Sequence, residues 1–477
     1  MDLTLINSPL QDYTVNKKKD YDTIPPLGLG YLATVAKKAG LDVKLLDAEA
    51  LGLSPEEITE HAKDSKIIGI NLLSPTVYLT KKICSSLKKY GAKIIAGGPH
   101  TTIYPSQSLN QIPEIDILVR GEGEQTLEEL IKSDWQQHGI KGVSYRKENA
   151  IIHNMPREHL QNIDEFPFID RNFFVNDPHI DNGKITSTVL TSRGCPYSCT
   201  YCAGSTVSGK AIRQRSAKNI VDELEELNKA HGINRIHFID NNFVYSKDKI
   251  LDFTEEFAKR NLGIEWRALV RTDTIARKLD KAVLQKMKEN GCYLLTFGFE
   301  SGSQRILNMI KKGSTLEDAR IAVKQCKEVG ISTKGHFMFG FPTETVGEME
   351  MTLQHAADLG IDTAYFSLVK AYPGTELYKN LAQARDEKDL LDYVHFQDAI
   401  DKENLTDDEK SILTELAKRG MNFNRVIKYN IANRNPISTV SFSRLIGVLK
   451  HAYKKFYFGN FYKPREQELE YESVCGL

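Results

Sequence analysis

From its start, the chain alternates short apolar runs with stretches whose apolar positions recur at helical spacing. DLTLINSP is followed by a helical pattern from Gly28 to Gly40, DVKLLDA by one after Pro55, and IIGINLL by one through Lys89, before KIIAGG and ILVRGE close the series. Strand and helix in alternation predict a parallel sheet wrapped by helices. The strand runs are short and almost wholly apolar because both faces of such a sheet are covered. Residues 1–140 are therefore expected to form an α/β domain, a Rossmann-like open parallel sheet. Residues 141–180 are polar, carry three prolines after Ala150, and predict a linker with a small hairpin. A second series follows: ITSTVLTSRG, RIHFID, EWRALVR, LLTFGFE, STKGHFMFG and TAYFSLVK, separated by helical stretches such as NIVDELEELNKAHG. Six such units predict a (βα)6 partial TIM barrel over 181–375. Residues 376–477 read as a mainly helical, more charged region.

Composition narrows the function. Lys plus Arg and Asp plus Glu both number 63 in 477 residues, so no global field draws the chain to nucleic acid or to an anionic membrane. The tract HAYKKFYFGNFYKPR, 451–465, is read as a helix with a solvated basic face and an aromatic face on the barrel, with RNA or membrane-surface binding as the weaker reading. No run of 18 apolar residues and no basic-then-apolar leader is visible, so a cytoplasmic protein without a membrane partner is expected. Seven cysteines, an odd number, argue against a disulfide framework. Cys84, Cys292 and Cys326 are isolated and expected to be buried apolar groups.

In open sheets and barrels, ligands bind beyond the carboxyl ends of the strands. In the first series those ends carry Ser8 and Pro9, then Ser74, Pro75 and Thr76, then Gly97, Gly98, Pro99 and His100, and then Gly121, Glu122, Gly123 and Glu124. Glycines and small hydroxyl residues there let backbone approach a ligand; the bland alternative is that they are turns leaving strands. No GxGxxG follows the first strand and no GxxxxGK[ST] occurs, which disfavours nicotinamide and nucleoside triphosphate sites. The first strand of the second series runs directly into RGCPYSCTYC, with Cys195, Cys199 and Cys202. A structural zinc site would need a fourth ligand at short spacing, and a CxxC redox pair would leave Cys195 unexplained. Three thiolates leave one iron of a four-iron cluster without a protein ligand, an open position of the kind a catalytic site needs.

CxxxCxxC with Tyr201 before the last cysteine, on the loop after the first of six βα units, closely resembles the radical S-adenosylmethionine (SAM) enzymes over roughly residues 185–375. The resemblance implies a [4Fe-4S] cluster whose open iron is chelated by the amino and carboxylate groups of SAM, which the reduced cluster cleaves to a 5′-deoxyadenosyl radical. It also implies SAM contacts from Tyr201, from Asp240 in FIDNNF, from Arg271 in EWRALVR, from Glu300 and Ser301 in FGFESGS, and from Gly340 and Pro342 in FMFGFPTET. Helix caps and turns are the alternative roles for these side chains. Thr343 stands where the family's GFPGET-like segment has glycine.

PPLGLGYLA, SPT, GGPH and VRGEGE together resemble the cobalamin-binding domain of the cobalamin-dependent members of that family. The implied cobalamin-binding residues are Ser74, Pro75, Thr76, Gly97, Gly98, His100, Gly121, Glu122 and Gly123. The first loop, SPLQDYTVN, lacks the DxHxxG of cobalamin mutases, so a lower cobalt face free of imidazole is expected; His100 is either a ligand or hydrogen-bonded scaffold. The implied activity is methylation of an unactivated carbon of a small-molecule or peptide substrate. A cyclase or ring-rearranging enzyme is the alternative within the family, and a non-catalytic corrinoid- or cluster-binding protein the alternative outside it. A reducing electron donor such as flavodoxin or ferredoxin is implied as partner. Tyr365 and Tyr372 are candidates to line the substrate, with core packing as their other reading.

Overall fold

The computed structural model describes residues 1–14 and 24–382. The tract 451–465, Cys475 and most of the expected C-terminal helical region lie outside the described residues. The chain forms an open, mainly parallel sheet and a half-barrel sheet, each covered by helices.

The first sheet contains β1 (Leu3–Asn7), β2 (Val43–Asp47), β3 (Ile67–Asn71), β4 (Lys93–Gly97) and β5 (Ile117–Val119), all parallel, in the order β2-β1-β3-β4-β5. Its alternate positions feed two cores. Ile6, Ile68, Ile70, Ile94 and Ala96 meet Ile83 and Leu87 on one face. Leu3, Leu5, Ile67, Ile95 and Ile117 meet Leu29, Ala33 and Leu127 on the other. Two covered faces explain why these strands read as unbroken apolar runs rather than alternating ones. The hairpin expected in the linker is β6 (Val143–Lys147) with β7 (Ala150–His153), and it extends the sheet antiparallel to β5.

The half-barrel contains all six expected strands. It begins with the antiparallel edge strand β8 (His179–Asp181), followed by β9 (Lys184–Val189). A two-residue ribbon, β10 (Ser192–Arg193) with β11 (Arg213–Gln214), closes the loop that carries the three cysteines. The remaining strands are β12 (Arg235–Phe238), β13 (Glu265–Val270), β14 (Cys292–Glu300), β15 (Ser332–Phe339) and β16 (Thr363–Leu368). Two compact units divide the chain: one holds residues 1–269, Gln285–Tyr293 and Ala371–Leu381, the other Val270–Leu284 and Leu294–Lys370. In the first, Phe238, Phe243, Phe253 and Trp266 pack with ring centroids 4.5–5.7 Å apart. In the second, Phe297, Phe299, Phe337, Phe366 and Phe339 stack in a row behind the sheet. Cys84, Cys292 and Cys326 are buried core residues, as expected.

The segment between the hairpin and β8 is held by buried charge as well as by the apolar contacts of Ile169, Phe166 and Phe174 with Leu27 and Tyr31. Arg171 Nη1 donates to Asp177 Oδ2 (3.1 Å) and Nη2 to Glu223 Oε1 (3.0 Å), while Arg215 Nη1 donates to Glu223 Oε2 (2.5 Å). Thr188 of β9 donates its backbone N–H (3.1 Å) and its hydroxyl (2.5 Å) to the same Asp177 oxygen. Removing one member strands a buried charge, a loss on the order of 3–5 kcal/mol. Arg171→Ala is expected to lower the unfolding free energy by about that amount, measured as a fall in the urea midpoint; a fall of less than about 1 kcal/mol would mean that the linker is not anchored here.

Candidate active site

The cysteine loop starts from a fixed point. Asp240, at the end of β12, is buried, and its Oδ1 accepts the Thr191 amide (3.0 Å), the Thr191 hydroxyl (3.0 Å) and the Ser192 hydroxyl (2.6 Å). Its Oδ2 is buried without a hydrogen-bond partner. Burial raises the Asp240 carboxyl to about 6 although all three donors pull it down. Gly194 has φ +92°, and the Ala211 carbonyl fills the place a Cβ would take, so only glycine fits before Cys195. Tyr245 donates its hydroxyl to the Gly194 carbonyl (3.1 Å), and Cys195 N–H donates to the Gly209 carbonyl (3.0 Å). The burial of Tyr245 and the neighbouring Cys195 push its phenol above the usual tyrosine range.

Cys195 and Cys199 are half-buried and Cys202 is exposed; none is in a disulfide. Cys202 N–H donates to the Cys199 carbonyl (3.1 Å), and Gly204 N–H donates to Cys202 Sγ (3.4 Å), the kind of amide–sulfur contact that stabilises a thiolate. Tyr201, half-buried, lies in that turn. Among the described residues no three His, Cys, Asp or Glu side chains converge on a single point that would hold one metal ion. A cluster asks for a different arrangement, because each thiolate meets a separate iron.

Within the same unit a cavity of about 490 Å³, in the usual range of ligand pockets, opens at the carboxyl ends of the first sheet. Gly97, Gly98, Gly121, Glu122 and Gly123 line it, together with Asn71, Leu73, Tyr31 and, from the cysteine-loop side, Ser192, Arg193, Val207 and Asn241. It continues as an apolar slot between Leu3, Leu5, Ile95 and Val119 of the sheet and Leu29, Leu32 and Leu127 of the covering helices. Gly98, at φ +116°, would place a Cβ 2.5 Å from Asn71 Oδ1, whereas a Cβ on Gly121 would meet nothing within 4 Å. Such a glycine-walled mouth with an apolar slot behind it fits a flat macrocycle carrying a planar base. Ser74, Pro75 and Thr76 form a single 3-10 turn outside the lining, and His100 is buried behind them. His100 Nδ1 lies 3.0 Å from Ser74 Oγ, its Nε2 is buried without a partner, and burial lowers its pKa to about 4. His100 is thus held by Ser74 and lies outside the cavity lining.

The second unit places Arg271, Glu300, Ser301, Gly340 and Pro342 at or just past strand ends, while Arg267 and Tyr372 belong to the first unit. Arg271, just past β13, donates to Asp273 Oδ1 (2.9 Å) and to the Lys312 carbonyl. Glu300 ends β14 at φ +67° and accepts from Lys312 Nζ (2.7 Å), an ion pair with both side chains buried. Ser301 is fully buried, 3.2 Å from Thr352 Oγ1, and caps the Ser303 N–H (3.1 Å). Gly340, at φ +86°, and Phe341 donate their amides to Glu344 Oε2 (2.6 and 3.1 Å), with half-buried Pro342 between them and Glu344. Burial raises Glu344 to about 7. Thr343 takes φ +61°, left-handed backbone that favours glycine; Arg305 holds it through Thr343 Oγ1 (3.1 Å) and its carbonyl (2.6 Å). Arg267 donates to His237 Nδ1 (2.8 Å) within the sheet, and Tyr365 stacks on His336 (5.5 Å) under Lys334. Tyr372 is 37% exposed. Lys312, Glu344 and Arg193 were not singled out from the sequence. Glu344 was visible inside the GFPTET motif and Arg193 beside Gly194, but Lys312 has no local signal.

The profile of the Radical SAM superfamily matches residues 189–356, and that of the B12 binding domain residues 13–131. Over 364 residues, 75% of this chain and 78% of the relative, the sequence is 36% identical to an uncharacterized methyltransferase of Pyrococcus horikoshii. The chain belongs to the cobalamin-dependent radical SAM enzymes. An anaerobic magnesium-protoporphyrin IX monomethyl ester cyclase of Rubrivivax gelatinosus is 27% identical over 407 residues, 80% of this radical SAM chain and 72% of the cyclase. The radical SAM methyltransferase TsrM from Kitasatospora setae shares the fold, with a TM-score of 0.66 at 21% identity, over 80% of this chain and 76% of that one. A [4Fe-4S] cluster, SAM and cobalamin are the cofactors of this enzyme family. Among the described residues no helix is long and apolar enough to cross a membrane.

The raised Asp240 carboxyl has a measurable signature. Its folded pKa of about 6 exceeds its ordinary 3.8, so the folded protein holds this proton more tightly than the unfolded chain. The associated stability is complete below pH 3.8 and is lost as pH rises through about 6. Calorimetric Tm values against pH are expected to show that loss in the native protein and a flatter profile in Asp240→Asn. Equal slopes in the two would refute a buried, reluctant carboxylate.

Proposed function

We propose that this enzyme is a C-methyltransferase that acts on an unactivated carbon of a small-molecule or peptide substrate and draws electrons from a low-potential donor of the flavodoxin or ferredoxin class. The observation that carries the reading is the pairing, in one compact unit, of a three-cysteine loop with a glycine-walled cavity, in a chain 36% identical to a methyltransferase of matching length. Cys195, Cys199 and Cys202 would hold the cluster through three irons and leave the fourth for the amino and carboxylate groups of SAM. Tyr201, Asp240, Arg271, Glu300, Ser301, Gly340 and Pro342 are proposed around SAM. Asp240 Oδ1 and Ser301 Oγ hold backbone by accepting protein donors, while Asp240 Oδ2 accepts none. Gly97, Gly98, Gly121, Glu122 and Gly123 would hold the corrin against backbone, with Ser74, Pro75, Thr76 and His100 as the support behind that wall.

When bound, the cofactors supply one-electron reduction and methyl carriage. The chain's own residues bind, orient and keep water out. The ribbon of β10 and β11 closes the cysteine loop, and Asp240 and Tyr245 fix its first residues. The aliphatic slot from Leu3 to Leu127 excludes water from the inner end of the cavity. The identity to the cyclase over 407 residues favours ring closure as a second reading. S-adenosylhomocysteine formed together with a methylated product supports methyl transfer; 5′-deoxyadenosine without either supports the cyclase. Absence of 5′-deoxyadenosine with any substrate under reducing conditions would favour a non-catalytic binding protein.

Anaerobic purification with iron, sulfide and corrinoid analysis tests the cofactor set, and two variants separate its parts. Cys199→Ala is expected to lose most cluster iron and sulfide and to reduce 5′-deoxyadenosine formation to background. Gly97→Leu is expected to fold, because a Cβ there meets only Val119 at 3.9 Å, but to fill the cavity mouth. Its corrinoid affinity should fall at least about tenfold, equivalent to about 1.4 kcal/mol. Unchanged corrinoid binding in Gly97→Leu would place the cofactor elsewhere.

A further inference from the structure

A buried charge cluster joins the wall of the cavity to the cysteine loop. Arg193 sits in β10, two residues before Cys195, and lines the cavity. Its guanidinium lies 4.3 Å from the ring centre of Phe166 and 5.3 Å from that of Tyr31. Nη2 donates to Glu124 Oε1 (2.5 Å), and Nη1 lies 3.4 Å from Glu122 Oε1. Arg213, paired with Arg193 across the ribbon, grips Glu122 with both terminal nitrogens (2.8 and 2.7 Å) and also donates to the carbonyls of Leu160 and Ser208 (both 3.1 Å). His159 Nδ1 lies 3.6 Å from Glu122. Two carboxylates from the GEGE loop thus face two guanidiniums from the ribbon that closes the cysteine loop. The side chains are only 3–15% exposed.

Resting on the proposed cofactor sites, we propose that this cluster makes binding of the corrin and assembly of the iron–sulfur cluster mutually reinforcing, with Arg193 as the positioning residue that links them. Glu122 and Glu124 alternate with Gly121 and Gly123, so a ligand that settles against those glycines fixes the two carboxylates. The carboxylates cannot shift without leaving a guanidinium buried and unpaired, a costly state in a low-dielectric interior. Arg193 in turn is tied to Cys195 through Gly194, whose carbonyl is held by Tyr245 and whose α-carbon has no room for a substituent. The Phe166 and Tyr31 rings, tilted and 5.9 Å apart, lie on adjacent sides of the guanidinium and limit where it can move. Order at either site is therefore order at the other, and linkage requires the effect to be reciprocal.

The test is anaerobic titration with hydroxocobalamin, followed by absorbance, of full-length protein with the cluster reconstituted and of the same protein made cluster-free by chelation. The native protein is expected to bind hydroxocobalamin at least about fivefold more tightly when the cluster is present, the lower end of ordinary coupling. In Arg193→Gln that ratio should fall to about one. Arg193→Lys, which keeps the charge but not the planar fork, should fall between. Should Arg193→Gln not fold, Glu124→Gln, which removes the closest carboxylate and leaves the ribbon sequence intact, is expected to reduce the ratio in the same way. A native ratio of one, or an unchanged ratio in a variant that still binds both cofactors, overturns the coupling and leaves the proposed function standing. A native protein that binds no hydroxocobalamin in either state overturns both.

Discussion

After each strand of a parallel sheet the chain must cross back along the outside, so the segments leaving the carboxyl ends gather at one edge. Everything that bears on chemistry in this protein follows from that constraint. Gly97 and Gly98 leave β4, and Gly121 to Glu124 leave β5; parallel pairing brings these distant pieces to one cavity. The half-barrel repeats the device: the cysteines follow β9, Asp240 follows β12, Arg271 follows β13, and Gly340 follows β15. An antiparallel arrangement would have sent half of these segments to the opposite end.

Strand ends bring residues near one another, and buried polar contacts then settle their positions. The loops here hold little apolar material of their own, so their backbone is pinned by side chains that accept or donate inside the protein. Asp240 pins Thr191 and Ser192, Glu344 pins Gly340 and Phe341, and Tyr245 pins Gly194. The arginines work over longer reach. Arg171, Arg193 and Arg215 each pair with carboxylates while lying over phenylalanine or tyrosine rings. A guanidinium suits this task because it is planar, weakly hydrated and charged at every relevant pH. For Arg193 burial alone would depress the pKa, but Glu124 and Glu122 more than offset it, and the group titrates above its usual range.

Much of the fold was legible because periodicity is local. The five parallel strands of the first sheet, the six strands expected in the half-barrel, the hairpin at 143–153 and the loop of Cys195, Cys199 and Cys202 each announce themselves within about ten residues, the span over which a repeat of two or of 3.6 can be read, whereas the three-residue edge strand β8 does not. The glycine loops of the cavity were legible for a related reason: a glycine after an apolar strand marks close backbone approach wherever it occurs. The side chains were harder. Ser74, Thr76 and His100 share the same loops as the lining residues yet turn behind them, and sequence position does not say which way a residue leaving a strand will face. Ser301 lies beside Glu300 in the sequence, but one is committed to Thr352 and the other to Lys312.

The sequence by itself determined the architecture and the chemical class, since alternation of apolar runs and the spacing of three thiols are properties of neighbouring residues. Only the tertiary structure decided which polar groups meet: Arg193 with Glu124 across 69 positions, Arg213 with Glu122 across 91, and Asp240 with Thr191 across 49. Such pairs carry no local signature, because a charge can be accommodated on almost any exposed loop and acquires a specific partner only when folding removes it from water.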